Sequence, residues 1–139
     1  MNDKQSVRVV VPLVPPSANK LLRMHWAEKG REKDRWRAMI GHIVSAKDAS
    51  WLRAMAELKK RMKVTIIMRT AKLDDPDNLP SRAKLILDVL KPTRMRKEKA
   101  VTGLGFIYDD SLEFLEPSVQ QEQVRGLKET VISIAEAGA

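Results

Sequence analysis

Residues 64–90 read VTIIMRTAKLDDPDNLPSRAKLILDVL and place a strand, an acidic turn and a helix in direct succession. Val64 to Thr70 carries apolar residues on both faces, which predicts a strand in the middle of a sheet. Leu79 to Leu90 repeats apolar residues at helical spacing, with Pro80 tolerated in the first turn, and so predicts a helix. The acidic turn between them, residues 74–78, holds three carboxylates in four residues of an otherwise basic chain.

The rest of the chain predicts a single α/β (α+β) domain over residues 1–139, with a small mixed β-sheet packed against helices. A length of 139 residues fits one domain, and 43% hydrophobic residues suffice for a core. A polar, basic loop is expected from Thr93 to Lys99. The apolar run Gly105 to Tyr108 is expected to be a short buried strand that delivers Asp109 and Asp110. The other predicted elements are a strand over Val7 to Leu13, a helix over Ala27 to Lys47, a short helix over Trp51 to Lys60 capped by Ser50, and strands over Val119 to Val124 and Thr130 to Ala135 that turn near Gly126.

The composition limits the function classes. A net charge of +8 favours polyanionic partners such as DNA, RNA or an anionic membrane face, the alternative being a merely soluble basic protein. The chain has no cysteine and only two histidines, so a bound metal would be held by carboxylates, which favours Mg²⁺ or Mn²⁺. No apolar run approaches the ~20 residues of a membrane span, and Met1-Asn2-Asp3-Lys4 lacks an apolar signal core. We therefore expect no membrane partner and a cytoplasmic location.

The acidic turn is a candidate metal site. Clustered carboxylates repel one another unless a cation binds them, and Asp75 and Asp77 would face the same side of an extended segment. Asp109 and Asp110 could close the same site. Two alternatives remain open: Asp77 or Asn78 could simply cap the following helix, and Asp109-Asp110 could be an ordinary turn.

Lys84 lies on the polar face of the predicted helix. Ser81, Lys84, Asp88 and Lys91 follow at steps of three, four and three, with the acidic turn over the N-terminal end of that face. Lys84 could therefore reach the carboxylates and a phosphate bound there. The alternative is a solvated Lys84–Asp88 pair, worth ~0.3–0.5 kcal/mol.

Basic residues near these elements are candidate DNA contacts, because phosphate oxygens are bound mainly by Arg and Lys. A run of charge is also compatible with a solvated loop. The candidate DNA-binding residues are Asn19, Lys20, Arg69, Lys72, Arg94, Arg96, Lys97 and Lys99.

These motifs resemble the RusA family of Holliday junction resolvases. The likeness lies in Asp75-x-Asp77-Asn78-Leu79, in Lys84 followed by Asp88, in Asp109-Asp110-Ser111 and in the opening Pro15-Pro16-Ser17-x-Asn19. The resemblance implies a homodimeric endonuclease with a RusA-like fold that needs Mg²⁺ or Mn²⁺ and cuts branched DNA symmetrically.

The resemblance also implies roles for individual residues. Asp75, Asp77 and Asp110 match the family's metal-binding acids, Lys84 matches its essential lysine, and Asp109 matches the neighbouring acid. The chain departs from the pattern twice. The gap from Asp77 to Lys84 is about three residues longer, which is nearly one helical turn, and the loop from Lys91 to Gly105 is also longer.

The expected function is therefore Mg²⁺-dependent resolution of Holliday junctions by paired nicking, in DNA recombination and repair. The expected catalytic residues are Asp75, Asp77, Lys84 and Asp110. Two alternatives remain: a non-catalytic DNA-binding recombination accessory protein, which would leave the acids without a role, and a metal nuclease that acts on flaps or RNA.

Overall fold

A mixed four-stranded sheet forms the centre of the fold in the computed structural model, which describes residues 5–138. Strand β1 (Ser6–Val11) and strand β2 (Met62–Thr70) both pair antiparallel with β6 (Glu129–Glu136), and β5 (Leu115–Gln123) pairs parallel with β2. The order is β1-β6-β2-β5, so β2 lies inside the sheet, as predicted. Residues Met1 to Lys4, used above for the expected location, lie outside the described residues.

Alternating apolar residues bury one face of the sheet. In β2, Met62, Val64, Ile66 and Met68 are buried, and in the paired strands Val9 and Ile132 lie in one cross-strand row with Ile66. Such rows of β-branched side chains are the packing unit of a half-covered sheet. The same core includes Trp36, Ile40, Leu52 and Ile86, which come from the helices.

In the part of the chain that the structure describes, four α-helices accompany the sheet: α1 (Ala18–Arg23), α2 (Trp26–Ile43), α3 (Ala46–Glu57) and α4 (Leu79–Leu90). Helix α4 has the predicted bounds, and its apolar residues at helical spacing, among them Leu79, Ala83, Ile86 and Leu90, are buried. Within residues 5–138, none of the helices combines the length and the hydrophobicity needed to cross a membrane.

The break between the two long helices was predicted at the wrong place. Helix α2 ends at Ile43, and the Ser45 hydroxyl accepts a hydrogen bond from the backbone N–H of Asp48 (3.1 Å) to cap α3. Asp48 therefore stands in the first turn of α3, where the helix dipole favours an acid. Ser50, the predicted cap, lies inside α3. The sequence Ser-x-x-Asp was the correct start signal.

Two further predictions were wrong in the segment after α4. The expected loop contains a hairpin of β3 (Arg94–Arg96) and β4 (Lys99–Val101), closed by Lys97 and Glu98 with φ of 49° and 65°. A two-residue turn with positive φ at both positions matches the twist of a hairpin. The run Gly105 to Tyr108 is not a strand, although Phe106 and Ile107 are fully buried.

The two late strands exist but do not pair with each other. Each pairs with β2, from opposite sides, so the chain crosses the end of β2 between Gln123 and Glu129. Gly126 lies in this connection with a φ of +74°, a conformation that glycine adopts without strain.

Candidate functional site

The acidic turn links the end of β2 to α4 through one turn of 3-10 helix, Pro76–Asn78. The Asp75 carboxylate caps this turn by accepting a hydrogen bond from the backbone N–H of Asp77 (3.2 Å). Asn78, directly before α4, makes no capping bond with its side chain. The capping role thus belongs to Asp75. The segment is not extended at Asp77, so the predicted alternation of Asp75 and Asp77 along a strand does not apply. Both side chains are exposed.

Asp74 fixes the acidic turn to the sheet and to α4. Its backbone N–H donates to the Gln121 side chain (3.0 Å), and its backbone carbonyl accepts from the same side chain (2.8 Å). Its carboxylate accepts hydrogen bonds from the Asp75 backbone and the Asn78 side chain. The Asn78 hydrogen bond is the main reason that the pKa of Asp74 is lowered. This acid therefore has a structural role.

Arg82 anchors the same turn from beneath. Its buried guanidinium donates two hydrogen bonds to the Pro15 carbonyl (2.6 and 3.2 Å) and lies 3.7 Å from the second carboxylate oxygen of Asp74. Burial lowers the pKa of Arg82, against the raising effect of Asp74. Arg82 thus joins the proline-rich loop before α1 to the acidic turn.

The segment that precedes Asp110 packs against the C-terminal end of α4, because the last carbonyls of that helix have no partner within the helix. The last carbonyls of any helix lack partners inside it. Here the Val89 carbonyl accepts from Leu104 N–H (3.0 Å), and the Leu90 carbonyl accepts from Phe106 N–H (2.8 Å). The burial of Phe106 holds this segment in place, and four residues later Asp110 lies beside the polar face of α4.

The polar face of α4 carries a cluster of alternating charges, which we call the lysine–aspartate cluster: Lys33, Lys84, Asp88, Lys91 and Asp110. Asp88 lies 3.1 Å from both Lys33 and Lys91 and 3.4 Å from Lys84. Asp110 lies 3.4 Å from Lys91 and 3.6 Å from Lys84. The predicted pair of Lys84 and Asp88 is therefore present, but Asp88 is only 11% exposed and the pair belongs to a network.

The charges in this cluster stabilise one another. Burial alone would raise the pKa of Asp88 and of Asp110, but the neighbouring lysines outweigh burial and lower both. The pKa of Lys84 is raised, chiefly by Asp88 and also by Asp110. All three groups are therefore ionised at neutral pH, and the Lys84 side chain remains 63% exposed.

The described conformation does not assemble a metal site. Carboxylate oxygens suit Mg²⁺ or Mn²⁺, but across residues 5–138 no three His, Asp or Glu side chains form a group able to hold an ion. Asp75 is bonded to the turn backbone, and Asp110 is paired with two lysines. The placement therefore does not fit a metal, and the ligand set Asp75, Asp77 and Asp110, with Asp109 beside it, stays a prediction.

The predicted DNA-binding residues lie in three places. Asn19 and Lys20 lie on α1, and the hairpin of β3 and β4 carries Arg94, Arg96, Lys97 and Lys99 at exposed positions. Lys72 is exposed just after β2. Arg69 differs, because it is ion-paired with Glu122 (3.0 Å) and Glu129 (3.6 Å).

Four residues of this region were not singled out as site residues from the sequence: Lys33, Arg82, Lys91 and Gln121. Lys33 and Gln121 are far from the acidic turn along the chain, so no local pattern identifies them. Lys91 was placed on the polar face of α4 with Asp88, but its ion pair with Asp110 (3.4 Å) depends on where the later segment packs. The burial of Arg82 could have been predicted from its position next to the apolar residues of α4.

Comparison of the chain with protein-family models and with curated proteins gives no match.

Proposed function

We propose that this chain is an endonuclease that cuts branched DNA at Holliday junctions, in recombination and repair. The observation that carries the proposal is the ion pair between Lys84 and Asp110 (3.6 Å). It brings the distant Asp109-Asp110 element onto the helix that begins at the acidic turn. The RusA resemblance singles out the acidic turn, Asp109-Asp110 and Lys84. All three therefore lie on α4 or directly beside it.

The cluster offers two groups for phosphodiester hydrolysis. Lys84 is exposed and positively charged, so it can bind a phosphate oxygen and stabilise the charge that develops there. Asp110 is ionised beside it and can accept a hydrogen bond from the attacking water. Asp88 and Lys91 position these two groups, since Asp88 contacts Lys84 and Lys91 contacts Asp110.

Dependence on Mg²⁺ or Mn²⁺ is a separate part of the proposal. The carboxylates of Asp75, Asp77 and Asp110 are the ligands that the sequence offers, although the described conformation does not group them. Cleavage that persists unchanged in excess EDTA would reject the metal requirement and leave the roles of Lys84 and Asp110 to be tested separately.

Paired nicking needs two active sites at a fixed separation, and we therefore propose a homodimer with two-fold symmetry that acts on DNA in the cytoplasm. Light scattering at micromolar concentration should give the mass of two chains. A monomer at that concentration, alone and with junction DNA, would contradict paired cutting.

The experiment compares a four-way junction, a flap and a linear duplex, each labelled on one strand at a time, with and without Mg²⁺. Symmetric nicks in opposite strands of the junction are expected, and the variant Asp77→Asn should bind the junction without cutting it. Wild-type cleavage by Asp77→Asn would contradict the assignment of that acid. Cutting of flaps or RNA alone would identify a different nuclease.

A non-catalytic DNA-binding accessory protein is the second candidate. It is favoured by the ion pairs that Asp110 makes with Lys84 and Lys91, because a carboxylate neutralised in this way needs no metal. Tight junction binding by the wild type, without nicking in Mg²⁺ or Mn²⁺, would establish it.

A further inference from the structure

We infer that a groove between α2 and α4 guides a DNA strand past the lysine–aspartate cluster. We call it the basic groove; its charged lining consists of Lys29, Lys33, Asp34, Arg37, Lys84, Asp88 and Arg94. The inference deepens the proposed function by naming the path of the substrate. It rests on that function only in calling the bound DNA a substrate.

Two adjoining cavities make up the groove. One, of about 430 Å³, lies between α2, α4 and the hairpin, and the other, of about 370 Å³, lies between α1, α2 and α4. Lys33 and Asp88 line both cavities, so their ion pair (3.1 Å) lies where the two cavities meet. The groove therefore runs from α1, past Lys84, to Arg94 at the base of the hairpin.

Three basic side chains of α2 line the groove at regular spacing. Lys29, Lys33 and Arg37 are four residues apart, so they lie on one face of the helix. At 1.5 Å per residue they span about 12 Å, which equals the rise of roughly three to four nucleotides of one strand in a duplex. This spacing suits a linear row of phosphates.

The charge balance favours an anion. Five basic and two acidic side chains line the groove, leaving an excess of three positive charges. Both acids are already paired: Asp34 with Arg37 (2.8 Å), and Asp88 with three lysines. Lys29 and Arg94 make no ion pair with the acidic residues that the structure describes, so both are available for phosphate.

A glycine opens the groove wall further. Gly30 lies in the interior of α2, where glycine is a poor helix former, and it lines the larger cavity. A Cβ at this position would meet no atom within 4 Å, so packing against the protein does not require the glycine. The absence of a side chain leaves space on the wall between Lys29 and Lys33 for a ligand backbone.

The test is the salt dependence of junction binding, measured by fluorescence anisotropy in EDTA so that cleavage plays no part. The variant carries Lys29→Ala and Arg94→Ala, the two groove cations without an acidic partner among the described residues. The control carries Lys47→Ala and Lys60→Ala, two exposed lysines outside both cavities, one in the first turn of α3 and the other three residues beyond its end. Each pair removes two positive charges, and circular dichroism checks that both variants are folded. Single Lys29→Gln and Arg94→Gln variants serve if the double variant does not fold.

Each lost phosphate contact lowers the slope of log K against log salt by about 0.9. The groove variant should therefore lose about two units of slope, while the control keeps the wild-type slope. Between 50 and 200 mM salt, wild-type affinity should fall about 12-fold more than that of the variant. Each single Gln variant should lose about one unit.

Three results would overturn the inference: a wild-type slope in the groove variant, an equal loss in the control, or competition by poly-glutamate as strong as by DNA. None depends on cutting. Groove-dependent binding without any nicking would support the path and reject the proposed nuclease. Nicking by a wild type whose binding does not depend on the groove would reject the path alone.

Discussion

Replacing Asp88 by asparagine should destabilise the protein by removing the acid shared by three lysines. Asp88 is 11% exposed and lies 3.1 Å from Lys33 and Lys91 and 3.4 Å from Lys84. Asparagine keeps the size of the side chain but loses its charge. The lysines then repel one another with less compensation. Of the acids that the structure describes, Asp110 alone then remains paired with Lys91, which is itself only 11% exposed.

The expected loss for Asp88→Asn is about 2 kcal/mol. A hydrogen bond to a charged group contributes roughly 1.5–3 kcal/mol. The full contribution applies only to the interaction of Asp88 with Lys91. The ammonium groups of Lys33 and Lys84 are at more exposed positions, where water can replace Asp88. At roughly 2.1 cal/mol/K per residue of unfolding entropy, this loss lowers the Tm by about 7 °C for a chain of this length.

The effect should depend on pH in a defined direction. Because the pKa of Asp88 is lowered in the fold, its stabilisation is present above the unfolded value near 3.9 and is lost as pH falls through the folded value. The difference between wild type and Asp88→Asn should thus be constant from about pH 7 to pH 5 and shrink below about pH 4.

Urea unfolding followed by tryptophan fluorescence measures this difference, since Trp36 is fully buried. The control is Asp34→Asn, which removes an exposed i,i+3 pair with Arg37 and should cost less than about 0.5 kcal/mol. Equal stability of the two variants at pH 7, or a difference that grows on acidification, would refute the role given to Asp88.

Three further substitutions test other parts of the fold. Gly30→Ala should raise the free energy of unfolding by about 0.5–1 kcal/mol, because the added methyl group meets no atom; a lower Tm would contradict this. Gly103→Ala should lower the free energy of unfolding by about 1–3 kcal/mol, because the methyl group would overlap the Lys91 carbonyl. A midpoint of urea unfolding equal to that of the wild type would contradict this close approach. Arg82→Met should cost about 3 kcal/mol by leaving Asp74 without its cation, and a calorimetric Tm equal to that of the wild type would refute the anchoring role.

The unit from β2 to α4 could be predicted because its signals are local. The apolar pattern predicted a strand over Val64 to Thr70, which lies within β2 (Met62–Thr70), and apolar residues at helical spacing predicted Leu79–Leu90. Helix α1 was missed because six residues give too short a pattern, although Ser17 at its start does cap it. The hairpin was missed because Lys97 and Glu98 are not typical residues for a turn with positive φ.

The candidate site was only partly predictable, for a different reason. The acids and Lys84 were identified from their spacing, but their partners come from distant parts of the chain. Lys33 reaches Asp88 from α2, and Gln121 reaches Asp74 from β5. Such contacts depend on how the helices and the sheet pack, and no periodicity along the sequence encodes them.

The most direct test of the central claim is a double-mutant cycle on junction cleavage with Lys84→Met, Asp110→Asn and the combined variant, in Mg²⁺. If Lys84 and Asp110 act as one site, each single change should slow nicking by about 100-fold or more. The double variant should then be no slower than the worse single variant, because groups that act as a unit are not additive. Wild-type cleavage by either single variant, or losses that multiply in the double variant, would contradict a shared site.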